Sequence, residues 1–131
     1  MQIDHIGIAT KSLEEAASVW EKALGLQLDS TEEVAGQGVR VAMFTLGESH
    51  IELLEPLTPN SPIGKFLEKR GPGIHHIAVR VEDIREALAR LKAKGLRLID
   101  EVPRVGARNC LVAFIHPAAA NGVLLELVQH Q

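Results

Sequence analysis

The sequence predicts an α+β protein of 131 residues: one domain built from two tandem βαβββ modules, residues 1–57 and 74–131, joined by a short helical linker. Their strands are expected to form one curved mixed sheet around a cleft. Three observations carry this prediction. The chain repeats itself internally, each repeat opens with a strand followed by a capped helix, and ligand-type residues fall at equivalent places in both copies.

The repeat aligns IDHIGIATKSLEEAASVWEKALGLQLD (3–29) with IHHIAVRVEDIREALARLKAKGLRLID (74–100). His5 meets His76, Ser12 meets Asp83, Glu15 meets Glu86, and Ala16 meets Ala87. After a slip of one residue, Gly25 meets Gly95 and Leu26 meets Leu96. At the ends of the halves, HIELLEPL (50–57) aligns with LLELVQHQ (124–131), which sets Glu52 against Glu126.

Residues 3–9 and 74–81 are apolar runs rich in Ile and Val, and read as strands. Ser12-x-x-Glu15 and Asp83-x-x-Glu86 are capping boxes that start helices. Leu13, Ala16, Ala17, Trp20 and Leu24 form one helical stripe, and Ile84, Ala87, Leu88 and Leu91 form the other. Gly25 and Gly95 stand where a helix ends in a left-handed residue. Three further strands are expected in each half, over 26–32, 39–46 and 49–56 in the first and 96–101, 110–116 and 122–129 in the second. Gly47-Glu48, His116-Pro117 and Asn121-Gly122 mark turns between them. Ser61-Pro62 opens the linker helix PIGKFLEKR, which stops at Gly71-Pro72-Gly73.

Composition narrows the function. Apolar residues make up 46% and charged residues 24%, so the chain can build a core and is not a disordered segment. A net charge of −3 without a basic face argues against a nucleic-acid partner. At 3%, aromatic residues are too few for a base-stacking platform. No stretch approaches the roughly eighteen apolar residues of a membrane span. A single cysteine, Cys110, and no apolar leader lead to the expectation of a cytoplasmic protein.

The repeat also carries the functional signal. Each copy has a His in its first strand and a Glu in its last, within Ile51-Glu52-Leu53-Leu54 and Leu124-Leu125-Glu126-Leu127. A carboxylate inside an apolar strand is costly unless it is paired or metal-bound. A lone strand His is more often a hydrogen-bonded core residue, and a lone Glu can face solvent in a half-exposed sheet. Four ligand-type residues at repeat-equivalent positions shift the balance toward a mixed N/O site. Such a site suits Co, Ni, Mn, Zn or Fe(II).

These residues resemble those of the vicinal oxygen chelate superfamily, which includes glyoxalase I and the extradiol dioxygenases. Within it the chain is most similar to the methylmalonyl-CoA epimerases. The likeness rests on IDHIGIA, on IELLEPLTPNSPIGKFLEKRGPGIHHIAVRV and on FIHP…NGVLLEL, and it covers essentially the whole chain. It implies a metal site of His5, Glu52, His76 and Glu126, with cobalt(II) the first expectation for the ion. It also implies a CoA thioester substrate, a homodimer, and epimerisation through an enolate whose charge a divalent cation offsets. Such a reaction needs an acid or base on each face of the enolate. Some relatives carry an acid on the third strand where this chain has Val41, and Gly36 also replaces what is often an acid. Glu52 and Glu126 are therefore the expected bases.

Gln37, His50, Arg108 and Asn109 are expected to contact substrate. Gly106-Ala107-Arg108-Asn109 resembles the family's glycine-rich loop near the substrate carboxylate. Lys65, Lys69 and Arg70 could meet CoA phosphates but read more often as a solvated helix face, and His75 reads as structural, since alternation turns it away from His76. The alternative activities are a glyoxalase I-type lactoylglutathione lyase and a metal-free small-molecule binder.

Overall fold

The computed structural model describes residues 1–131. The chain packs as two compact units, His5–His75 and Met1–Asp4 with His76–Gln131. In the first module of the sequence, β1 (Gln2–Ala9) leads into α1 (Leu13–Ala17), then β2 (Gln27–Val34), β3 (Val39–Leu46) and β4 (Ser49–Pro56), with α2 (Pro62–Arg70) after it. In the second module, β5 (Gly73–Arg80) leads into α3 (Ile84–Ala93), β6 (Arg104–Val105), β7 (Leu111–Ile115) and β8 (Leu125–Gln129). Both copies of the expected βαβββ module are present.

The two modules repeat one topology. Strand order is β2-β3-β4-β1 in the first and β6-β7-β8-β5 in the second. In each, the first strand runs parallel to the last, and the remaining pairs are antiparallel. A parallel pair needs a crossover, and the helix after each first strand begins it.

The helices cover one sheet face. Ala42, Phe44, Ile51 and Leu53 form a buried cluster against Leu13, Ala16, Ala17 and Trp20. Ile84, Leu88, Ala113, Ile115 and Leu127 do the same in the other module, with Ala87 and Leu91 beside them. Strand alternation then sends Glu52, between Ile51 and Leu53, to the opposite face. Glu126, preceding Leu127, is likewise turned away from α3.

Both helices start on their expected caps. The Glu15 N–H donates to Ser12 Oγ, and the Glu86 N–H donates to Asp83 Oδ1. Gly25 and Gly95 hold φ of +79° and +82°, the left-handed values their places after the helices require. The linker helix runs over Pro62–Arg70 from its Ser61 cap.

Two expectations are corrected. The first helix changes to a π-helix over Ser18–Ala23, with the Leu24 N–H donating to Val19 O at 2.9 Å. A π turn holds more residues than an α turn, so the stripe shifts phase. Leu24 swings outward to 62% exposure, and Leu26 joins the packed residues. The second correction is at 96–101, where no strand forms. Leu98 makes one isolated bridge to Ile115, and the edge strand is Arg104–Val105. Phe114 N–H donates to the Asp100 carboxylate at 2.9 Å, so a side chain takes the place of a strand carbonyl.

Gly64 occupies the third position of α2, where a Cβ would lie against the carbonyls of Pro59 and Thr58, 2.7 Å from the latter. Alanine ordinarily favours a helix by about 1 kcal/mol over glycine. Here the backbone clash outweighs that gain, and Gly64→Ala is expected to cost ~1–3 kcal/mol in denaturant unfolding. A more stable alanine variant would contradict the close approach.

Candidate functional site

Each module builds one His–Glu pair. On β1 and β4, parallel pairing sets His5 beside His50 and Gly7 beside Glu52. Gly7 carries no side chain, which leaves room for the Glu52 carboxylate to reach back along β1. Its Oε1 lies 3.5 Å from His5 Nε2, and both side chains are at most 7% exposed. On β5 and β8, Ala78 stands beside Glu126. Glu126 Oε1 lies 3.3 Å from His76 Nε2, with both side chains at most 5% exposed. A small residue two positions after each His therefore admits each Glu.

These separations bear on what the pairs can do. They are long for a charge-assisted hydrogen bond, which prefers about 2.7–2.9 Å. They match neighbouring ligands of one cation. At metal–ligand distances of about 2.0–2.2 Å, adjacent donors lie roughly 2.8–3.1 Å apart in octahedral and 3.3–3.6 Å apart in tetrahedral geometry. An imidazole nitrogen beside a carboxylate, the donor pair in each module, suits a divalent transition metal.

The surroundings hold the donors in place. The His76 ring meets Phe114 edge to face, 5.6 Å between centroids, and Phe114 is the β7 partner of Glu126. In the first module Met43 is the β3 partner of Glu52. A rigid ring packs against one His–Glu pair, and a residue with a flexible thioether is the strand partner of the other.

The other expected residues are placed as follows. His50 lies on the Glu52 face of β4, with Nε2 3.9 Å from Asp29 Oδ2. Gln37 is half-buried in the short 3-10 turn Ala35–Gln37 before β3. Arg108 and Asn109 both hold φ of +57°, uncommon for residues other than glycine and a feature of functional loops. The Asn109 carbonyl accepts from Gln131 Nε2 at 2.7 Å. His75 packs edge-on against Phe66 at 5.0 Å, consistent with a structural role. Val41 is 2% exposed and lies on the Glu52 face.

Sequence reasoning missed three polar residues. Asp4 and His130 approach to 2.6 Å, tying the start of β1 to the end of the chain. Arg104 reaches over the Phe114 ring at 5.8 Å. Glu32 is the β2 partner of Val41. The parity of Ser30, Glu32 and Val34 in one strand was the available signal for Glu32, but parity alone does not fix register.

The sequence pattern of the Glyoxalase/Bleomycin resistance protein/Dioxygenase superfamily matches residues 4–114. The chain belongs to that superfamily. It is 42% identical to the ethylmalonyl-CoA/methylmalonyl-CoA epimerase of Cereibacter sphaeroides, over 98% of this chain and 97% of that relative. The crystal structure of methylmalonyl-CoA epimerase from Mycobacterium tuberculosis is similar to it with a TM-score of 0.95 and 41% identity, covering 99% and 88% of the two chains. A Streptomyces coelicolor methylmalonyl-CoA epimerase variant, in complex with 2-nitronate-propionyl-CoA, gives a TM-score of 0.95 at 38% identity, covering 98% and 94%. No helix is long and apolar enough to cross a membrane.

Cys110 packs with Ala78, Val112 and Val128. Burial, and next the charge of Asp4, push its thiol above the ordinary value. Less thiolate at neutral pH means slower attack on disulfide reagents. The native protein is expected to react with such a reagent at least about tenfold more slowly than the denatured chain. Equal rates would contradict this placement.

Proposed function

We propose that this chain is a metal-dependent epimerase that interconverts (R)- and (S)-methylmalonyl-CoA. The observation that carries the reading is the pair of buried His–Glu couples, at equivalent places in the two modules and each with ligand-atom separations suited to neighbouring donors of a cation. His5, Glu52 and His76 are buried donors of the kind that can hold a metal ion. Glu126 completes the set by module equivalence. The relatives named as epimerases of the same thioester supply the substrate class.

When bound, the cation would act as a Lewis acid toward the negative charge that develops on the substrate. The chain's own groups must move the protons. Epimerisation removes the proton from the carbon between thioester and carboxylate on one face and returns one on the other. We assign one of these roles to Glu126. For the opposite face the candidates are Glu52, already held by His5, and a carboxylate on β2 that no motif signalled.

Gln37, His50, Arg108 and Asn109 are the proposed substrate contacts. Support comes from the shared strand face of His50 and Glu52 and from the left-handed backbone at Arg108 and Asn109. We further propose cobalt(II) as the ion, a homodimer as the assembly and the cytoplasm as the compartment. Family likeness supports the first two, and the single cysteine supports the third.

The direct test is exchange of the substrate α-proton with deuterated water. Deuterium is expected to enter methylmalonyl-CoA and not a glutathione hemithioacetal. The reverse preference would replace this reading with the glyoxalase I-type lyase. Inertness toward both substrates would favour a non-catalytic binder.

Metal removal should also weaken the fold. Two carboxylates buried in apolar strands lose a cation that binds only the native state. Excess cobalt(II) at a hundred times its dissociation constant is expected to add about 2.7 kcal/mol over chelated protein. Unfolding indifferent to chelation, with metal loss verified, would count against buried ligands.

A further inference from the structure

We infer that Glu32, on β2, is the carboxylate that exchanges the substrate α-proton on one face of the enolate, in the role otherwise expected of Glu52. The inference rests on the epimerase reading and deepens it.

The first argument is register. Glu32 pairs with Val41, and Val41 pairs with Leu54. Directly opposed residues share a sheet face. Leu54 lies two residues beyond Glu52, so Glu32, Val41, Leu54 and Glu52 all project from the face that α1 leaves open. His5 and His50 lie on it too, because Cα pairing sets them side by side. Two strand spacings and two residues separate Glu32 from Glu52, roughly 12 Å between Cα atoms. Glu52 is turned toward His5 on β1, so a Glu32 side chain reaching inward from β2 leaves the space over β3 between them for a reacting carbon.

Burial separates Glu32 from its neighbours. Thr31 and Glu33 are exposed, whereas Glu32 is half-buried. Glu33 points the other way, toward Arg40 at 3.7 Å. Val41 and Met43 form an apolar floor on the face that Glu32 shares. Between Glu32 and Glu52 that floor offers no other carboxylate on β3 or β4.

The third argument is the asymmetry of the repeat. In the second module the equivalent place is opposite Val112, which pairs with Val128, two residues beyond Glu126. It is occupied by Arg104, a cation. Only the first module therefore supplies a non-ligand carboxylate there. The second must rely on Glu126 itself. The two faces of a planar enolate would then be served by unlike groups, one a ligand and one not.

The step balances without a further reactant. The Glu32 carboxylate takes the α-proton, the C–H bond breaks, and its electron pair spreads into the thioester. A proton from the acid on the opposite face then forms the new C–H bond. In the reverse direction the groups exchange roles.

The test uses the metal-loaded protein and each epimer of methylmalonyl-CoA separately in deuterated water. In Glu32→Gln, α-deuterium uptake from one epimer is expected to fall by about 10²–10⁴-fold while the other keeps its rate within about threefold. Net epimerisation falls with it. Glu32→Asp keeps a carboxylate and should retain measurable uptake from both epimers. Glu33→Gln should change neither. Equal loss from both epimers, or unchanged uptake from both, would overturn the assignment of Glu32. Absence of uptake in the unsubstituted chain would instead overturn the epimerase reading, and this assignment with it.

Discussion

A carboxylate buried in an apolar strand costs several kcal/mol unless a partner or cation offsets it, and this chain buries Glu52 and Glu126 in that way. The rest of the structure follows from meeting that cost. Each Glu sits beside a small residue, Gly7 or Ala78, and faces a His from the neighbouring parallel strand. The parallel pairing demands a crossover, so a helix follows each first strand. That helix covers the face opposite the His–Glu pairs. Ile51 and Leu53 bury beneath one helix, and Leu127 beneath the other, because Glu52 and Glu126 must look the opposite way.

Duplication would make the proposed centre economical in sequence, each copy of the module offering one nitrogen and one oxygen. The copies then diverge where the ligands need no symmetry. Met43 in one stands where Phe114 stands in the other, and Glu32 where Arg104 stands. A substrate with a carboxylate, a thioester and a long nucleotide tail is itself asymmetric. Divergence at these four positions would give its two faces different chemistry while the ligand set stays paired.

Much of this was legible in the sequence for a physical reason. Alternation and helical periodicity report which side of an element is buried, and the repeat reports it twice. Ser12, Asp83, Gly25 and Gly95 mark helix ends because capping and left-handed φ restrict residue choice. His5, Glu52, His76 and Glu126 stand out because apolar strands rarely tolerate such groups. The failures have physical causes as well. The π turn at Ser18–Ala23 leaves no mark in residue type, so α-helical periodicity places Leu24 on the wrong side. The strand expected at 96–101 reduces to a bridge at Leu98, because the Asp100 carboxylate and not a strand carbonyl accepts from the Phe114 N–H, a tertiary contact that propensity does not show. Glu32 was missed because its place depends on the β2–β3 register, including the irregularity between Leu28 and Ser30.

The central claim is that the His5–Glu52 and His76–Glu126 pairs serve one ion. Calorimetric titration of chelated protein with cobalt(II) measures this directly. The account predicts one ion per chain, with tight binding lost both in the His5→Ala, Glu52→Ala variant and in the His76→Ala, Glu126→Ala variant. Two ions per chain, or full binding in either variant, would contradict it.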